Sequence, residues 1–593
     1  MTTAYSAIED HGIVGDMHTC ALVSKTVFCR ILDAKKGGYF SIFPQPSVLN
    51  VLSKQRYVPY SNLLETRWMN DEGVITLLDY FPVTSKQSGH SSLGDGHILS
   101  GQCPCNQPDG SRLGLSMQHS ALIRKLECSR GSMEMRIELQ SDLSQHVLQT
   151  ISFESATETL QLEIVAGSID PEVGYPTAHL DLLEKDDHQG PGLVALLKLS
   201  KGQTVTFVVH SPAREMPDEA KVVSHLARLE EETFDYWTDW TRKCTFRGHY
   251  RETVERSLLI LKLLTFKPTG AIVAAPTFSL PEHVGGPRNW DYRYSWVRDT
   301  ASTLYVFLKM GYSEEAEAYV KFIFDRILLM LTSMLTGAVR SREIDIPEVE
   351  LNHLEGYKGS RPVRIGNTAV SHTQLDIYGE LMDSIYLYNK HGNPITYDQW
   401  LVIRRMKDMS IWETRGEMQH FVYSKIMLWL ALDRGIRHCE KRSSLPCPDR
   451  FEWIQVRDEL YDEIMDKGYN RDRGHFCQSY EKPEVLDAAI MIAPLVFFVP
   501  PNEPRFINTL NKILQSPDQR GLSSSKLVFR YDHTTVDGGV GGREGAFIMV
   551  TFWLIEAMAR LATSGEHLGN TPQAFSHLAC ISAAINLGRL GST

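Results

Sequence analysis

The 593-residue chain has no uncharged apolar run of the length, about eighteen residues, that a membrane-spanning helix needs. Its first residues, "MTTAYSAIEDHGIVGD", lack a basic segment followed by an apolar one, so no secretory leader is expected. Basic excess is absent too: the formal net charge is -11 and the isoelectric point near 6.0, which argues against a nucleic-acid partner. Only ten cysteines occur, singly except for Cys103 and Cys105, whose spacing fits no standard zinc or redox pattern. They read as reduced thiols in a cytoplasmic protein with no metal site. The composition, 42% hydrophobic and 22% charged, leaves no room for wholesale disorder. Length exceeds what one core supports, so at least two domains are expected.

Residues 1–212 hold short β-rich segments, among them "VITLLDYF", "MEMRIELQ", "LQLEIVAG" and "TVTFVVH", punctuated by Gly, Asp, Ser and Pro. That half reads as antiparallel β. Within it, residues 85–114 are too long and too rich in glycine to be a regular element and read as a surface loop. Residues 213–248 turn charged and helical and read as a linker helix. From 249 to 593 the pattern is helical. "SLLILKLLTF", "TASTLYVFLKM", "QLDIYGELMDSIYLY", "SKIMLWLALDRGIRHC", "LDAAIMIAPLVFF" and "GAFIMVTFWLIEAMARLA" are apolar nearly all round in several cases, as inner helices shielded by outer ones would be. Gly311 closes one such helix, and Ser313 followed by Glu314 and Glu315 opens the next. A closed double ring of helices and an irregular bundle both fit.

Polar-aromatic clusters recur between these apolar helices, where a helical barrel would build a pocket. "GGPRNWDYRYSWVRD" (285–299) crowds aromatics, arginines and aspartates between glycines and helix, a mixture suited to stacking on a sugar face while hydrogen-bonding its rim. Tyr292 and Trp296 in that cluster, and Trp412 in "SIWETRG", are candidate stacking platforms. Arg298 and Asp299 present a fork of donors beside a pair of acceptors for vicinal hydroxyls; equally, they fit a buried Arg-Asp pair capping the helix that starts there. Arg361 in "HLEGYKGSRPVRIGN" and Arg530 with Tyr531 in "VFRYDHTTVDGG" are further candidates for substrate binding. Glu413 beside Trp412 suits a general acid, since a desolvated carboxyl stays protonated near neutrality; a first-turn glutamate favoured by the helix dipole is the alternative.

Taken together, "GGPRNWDYRYSWVRD", "HLEGYKGSRPVRIGN", "IWETRGEMQHFVYSK", "LDAAIMIAPL", "GGREGAFIMVTFWLIEA" and "LGNTPQAFSHL" closely resemble glycoside hydrolase family 15, the glucoamylase, glucodextranase and trehalase-like family. "IEDHGIVGDMHTCALVSK" and "NLLETRWMNDEGVITLLDYFPV" resemble the β-domain of its trehalase-like members. The likeness implies an N-terminal antiparallel β-supersandwich followed by an (α/α)6 helical barrel. It also implies exo-acting, inverting hydrolysis of terminal α-glucosidic bonds in trehalose, malto- or isomalto-oligosaccharides, with no metal and no organic cofactor. By the same likeness Tyr292, Trp296, Arg298 and Asp299 line a glucose subsite and Glu413 is the general acid. Inversion requires a second carboxylate to activate water, about 6.5–9.5 Å from the acid.

The chain departs from the family where that second carboxylate usually lies. "FWLIEAMARLATSGEHLGNTPQAFSHL" passes almost directly between two family blocks, without the intervening segment that carries the usual base. Other family stretches are missing after "ALVSK" and around "RILLMLTSMLTGAVRSREIDIPEVE", and Ser410 replaces a glycine before "IWE". Three explanations stand. Glu544 or Glu566 serves as base; or hydrolysis is lost and the pocket binds a carbohydrate or performs acid-assisted chemistry on a non-carbohydrate metabolite; or the sequence is misread at exon edges.

Overall fold

The structure is a computed structural model. It describes residues 5–83, 121–323, 346–386, 419–531 and 546–559 less short interior stretches, with strand backbones alone between 140 and 193. The loop read at 85–114, with Cys103 and Cys105, lies outside the described residues. The chain divides into two compact units, Met1–Arg242 and Lys243–Thr593.

In the first unit, alternation of apolar and polar residues becomes alternation of burial. Leu64–Met69 and Gly73–Tyr80 bury every second side chain and pair antiparallel, with Trp68 opposite Ile75. Their turn is set by Asn70, whose Oδ1 accepts from the amides of Glu72 (3.1 Å) and Gly73 (2.9 Å), the local bond that favours asparagine in turns. Ala121–Gln140 is one 20-residue strand serving two ladders. Its first half pairs with Gly73–Tyr80 and Gln203–His210, its second with Tyr39–Pro44 and Gly192–Ser200. The handover falls at Gly131, which holds φ at 63°. Both ladders feed one buried cluster that includes Phe40, Trp68, Ile75, Leu126, Met135 and Phe207.

A buried ion pair ties those ladders together. Arg124, opposite Asp79 in the register, donates through Nε to Asp79 Oδ1 at 2.7 Å and through Nη1 to the Phe40 carbonyl at 2.6 Å. Burial pushes the Asp79 carboxyl above its usual range and Arg124 opposes the shift. The helix Glu219–Arg242, which falls within the region read as a linker, belongs to this first unit. It packs there through Leu226, Leu229, Trp237 and Trp240. Thr233 Oγ1 accepts the Val83 amide (3.0 Å), and Lys125 Nζ donates to Glu230 (2.8 Å).

The second unit is mainly helical, with two-stranded ladders between helices. Arg251–Leu263, Val297–Met310, Val422–Lys441 and Ile548–Ala559 form where apolar helices are expected. Gly311 closes its helix at φ 93°. "LDAAIMIAPLVFF" differs. It is a 3-10 helix, Ala488–Ile492, followed by turns. Pro494 lies two residues after that helix and lacks the N–H a continuing α-helix would need, while Asp487 Oδ1 caps the start by accepting from Ala489 N at 2.8 Å. Among the described residues no helix is long and apolar enough to cross a membrane.

The handover at Gly131 gives a stability test. A Cβ there would meet the Glu72 carbonyl oxygen at 1.8 Å, whereas one at Gly285, also at positive φ, would meet nothing within 4 Å. Chemical denaturation should show Gly285→Ala costing about 1–2 kcal/mol, the left-handed penalty alone, and Gly131→Ala clearly more.

Candidate active site

The cluster at 285–299 is built on a hairpin. Phe278–Pro281 pairs with Asn289–Asp291, and the connecting turn passes through Gly285 at φ 80°. Buried Asn289 donates from Nδ2 to the carbonyls of Gly286 (3.1 Å) and Pro362 (3.0 Å). Asp291 has no exposure. Its Oδ1 accepts from Arg293 N (3.2 Å) and Nε (2.9 Å), and its Oδ2 from Arg293 Nη2 (2.7 Å) and Gly366 N (3.1 Å). Its carbonyl accepts from Asn367 Nδ2 at 3.1 Å. A second clasp lies beside it: Ser279, at φ 56°, donates to the Arg364 carbonyl and accepts the Arg364 amide, both at 2.6 Å. The "RNWDYRYSW" and "RPVRIGN" clusters are therefore one folded object.

On that base sits an aromatic corner. The carbonyls of Tyr292 and Tyr294 accept the amides of Ala275 (3.0 Å) and Ala274 (2.9 Å), which fixes the backbone. The Tyr292 ring meets Trp296 edge-on at 5.8 Å and 80°, and Tyr294 meets the same indole at 6.5 Å. All three rings are half-buried, so part of each remains open to a ligand.

Trp296 is the N-cap of Val297–Met310, with extended φ/ψ and no side-chain cap. Its carbonyl accepts from Thr300 N (3.1 Å) and Oγ1 (2.7 Å). Arg298 and Asp299 follow in the first turn, 7% and 3% exposed, where the helix dipole favours the aspartate. Arg298 forms an ion pair with Asp376, with Nη1 to Oδ2 at 2.9 Å across 78 positions of sequence.

Arg530 reaches the hairpin from the other end of the unit. Its Nη2 lies 3.5 Å from Glu282 Oε2 and its guanidinium covers the Phe547 ring at 5.1 Å. The Arg530 carbonyl accepts the Ala488 amide (2.8 Å), and buried Tyr531 bridges to Asp487. Arg361 is exposed, donating from Nε to the Glu355 carbonyl at 3.3 Å. Trp412, Glu413, Glu544 and Glu566 lie outside the described residues. Tyr292, Trp296, Arg298, Asp299 and Arg530 are thus linked through the same hairpin and its helix, with Arg361 on the adjoining loop.

Sequence reading missed Asp291, Glu282, Asp376 and Glu380. The signal for the last two was in "QLDIYGELMD", whose acids at 376, 380 and 383 fall on one helical stripe of an otherwise apolar segment. Tyr423 donates to Glu380 Oε1 at 3.0 Å. Burial, then the nearby Asp376 charge, pushes the Glu380 carboxyl up to about 8, against the pull of Tyr423 and Arg298. Among the described residues no group of three His, Cys, Asp or Glu side chains is placed to hold a metal ion.

Asp291 yields a direct expectation. Asp291→Ala strips partners from the buried amides it serves and should cost about 3 kcal/mol or more. Thermal unfolding reads the loss, and near-ultraviolet circular dichroism should show the Tyr292–Trp296 corner losing its fixed geometry. Arg293→Ala removes two of the four donors to that buried carboxylate and should cost about 1–3 kcal/mol, less than Asp291→Ala because water can enter where the 44% exposed side chain stood.

The family model of glycosyl hydrolases family 15 matches residues 248–564. The trehalase of Mycobacterium tuberculosis is 31% identical over 647 aligned positions, covering 99% of this chain and 90% of that protein. That of Mycolicibacterium smegmatis is 31% identical, covering 99% and 92%. The trehalase of Thermoplasma acidophilum is 32% identical and covers 95% of each. With a family model spanning more than half its length and relatives of this identity along nearly all of it, the chain belongs to glycosyl hydrolases family 15 and is an enzyme of glycosidase type.

Proposed function

We propose that the protein hydrolyses trehalose to glucose with inversion at the attacked carbon. The observation that carries this is the near full-length similarity to proteins named trehalase, from bacteria and archaea alike; it favours trehalose over malto- and isomalto-oligosaccharides. In this reading the first unit is the β-supersandwich and the second an (α/α)6 barrel, acting in the cytoplasm. Cys128, Cys244 and Cys477, which form no disulfide, support a reducing compartment.

Each residue then has a stated task. Glu413 donates its proton to the bridging oxygen as the C1–O bond breaks. Water attacks C1 from the opposite face and gives its proton to a second carboxylate, Glu544 or Glu566. The Tyr292–Trp296 corner stacks on the departing ring face, and Arg298, Asp299, Trp412, Arg530, Tyr531 and Arg361 surround the sugar. No metal or organic cofactor has a task in this scheme.

A second reading rests on the shortened segment before "LGNTPQAFSHL". The alignment to the Mycobacterium tuberculosis trehalase runs 647 positions against 593 residues, so it must open gaps in this chain. If the water-activating carboxylate went with them, the pocket binds a carbohydrate, or uses Glu413 alone on a non-carbohydrate metabolite. Glucose release from trehalose, maltose and isomaltose separates the two. Trehalose should be the preferred substrate, the first-formed new anomer should be β by proton NMR, and Glu413→Gln should lower kcat about a hundredfold or more. Release from wild type no faster than from Glu413→Gln would refute hydrolysis and leave the second reading.

A further inference from the structure

The helical stripe at 376, 380 and 383 carries three acids, one buried and two half-buried, that have no task in the proposed hydrolysis. Asp376 is fully buried and forms an ion pair with Arg298, from the first turn of Val297–Met310. Glu380 lies one turn further along the same face and accepts from Tyr423, which stands on Val422–Lys441 and stacks on Trp553 of Ile548–Ala559 at 6.1 Å and 16°. Asp383, the next acid on the stripe, is engaged elsewhere: Arg434 Nε donates to it at 2.5 Å, and Arg434 Nη1 also holds Asp433 at 2.7 Å. Three acids on one stripe thus have separate partners on neighbouring helices.

We propose that Asp376, Glu380 and Tyr423 form a positioning unit for the Arg298 guanidinium, in which Asp376 fixes the arginine through a buried ion pair and Tyr423 pins the Glu380 carboxyl one helical turn away from it. This rests on the reading of Arg298 as a sugar-binding group. A buried arginine with two ionised carboxylates one helical turn apart has two poses; with one ionised and one neutral it has one. Tyr423 suits that arrangement because its hydroxyl donates to Glu380 Oε1 while its ring stacks on Trp553, which holds the carboxyl in one place. Among the described residues, the groups facing Glu380 are Asp376 and Asp383 on its own helix, Arg298 on a second and Tyr423 on a third. Burial and the two aspartates favour the neutral form, and Arg298 and Tyr423 oppose it; the carboxyl ionises near pH 8.

The sign follows. Below that pH Glu380 is neutral and Arg298 stays on Asp376. Above it the new carboxylate draws the guanidinium away, and affinity for sugar falls. Because the folded state raises the carboxyl above its unfolded value, the same ionisation also removes stability as pH rises from about 4.5 to about 8.

The test uses the full chain and trehalose, with KM and kcat where it is hydrolysed and calorimetric Kd in every case. Wild-type affinity should weaken about fivefold or more from about pH 6 to about pH 9, and that of Glu380→Gln less than about twofold. Over the same span wild type should lose more Tm than Glu380→Gln does. Asp376→Asn should weaken trehalose binding about tenfold with kcat changed less than about threefold, and Asp376→Glu should restore part of it. Should Asp376→Asn fail to fold, Glu380→Gln decides alone, being neutral and of the same shape. A wild-type affinity flat with pH, or a Glu380→Gln affinity that falls in parallel with it, overturns the inference while trehalose hydrolysis stands. A wild type that neither binds nor hydrolyses trehalose overturns the proposed function and the inference with it.

Discussion

The carboxylate of Asp291 is the constraint on which the candidate site hangs. A fully buried carboxylate is tolerated only if donors replace the water it has lost, and here four come from two places: Arg293 just after it and Gly366 75 positions on. Meeting that requirement closes the loop between them and fixes the backbone of Tyr292 and Tyr294. The aromatic corner with Trp296 follows, and Trp296 in turn starts the helix that carries Arg298 and Asp299. Little of this comes from hydrophobic burial, which is non-directional and cannot set a ring angle. It comes from a polar debt that one geometry settles.

The first unit repeats the device with different chemistry. Arg124 could have been a core leucine at little cost to burial, since buried ion pairs seldom add net stability over apolar replacements. What the pair with Asp79 and the bond to the Phe40 carbonyl supply is registration: Asp79 belongs to one ladder and Phe40 to the other, while Arg124 lies on the strand that serves both. A slip of one residue would turn Arg124 to the wrong face. In both units a buried charge thus selects one arrangement among several that burial alone would allow.

The legibility of the sequence divides along the same line. Strands such as Leu64–Met69 and Gly73–Tyr80 were readable because alternation is local, and so was the helix end at Gly311, whose left-handed backbone needs glycine. The run "LDAAIMIAPLVFF" misled, because an apolar stretch of that length does not reveal that Pro494 and the Asp487 cap reduce it to a five-residue 3-10 helix and turns. In the site, the residues whose type announces chemistry, Trp296, Arg298 and Asp299, were legible. The partner of Arg298 was not. Neighbourhood in sequence suggested only Asp299, whereas the fold brings Asp376 to it from 78 positions away. No periodicity carries a contact of that separation. Only the acidic stripe within an apolar helix hinted that some distant cation was owed.

These long-range pairs also bear on what the shortened segments remove. Arg298 with Asp376, Arg530 with Glu282, and Asp291 with Gly366 join parts of the second unit that all lie before the short passage into "LGNTPQAFSHL". Each of these contacts is closed by two residues that precede that passage. A water-activating carboxylate is different in kind: it works only from the far side of the sugar, at a distance set by one water molecule, and no buried partner compels its retention. Loss of chain there would leave both partners of each of these contacts in place. The proposed hydrolysis and its binding-only alternative therefore share these contacts, and differ at the carboxylate that would activate water.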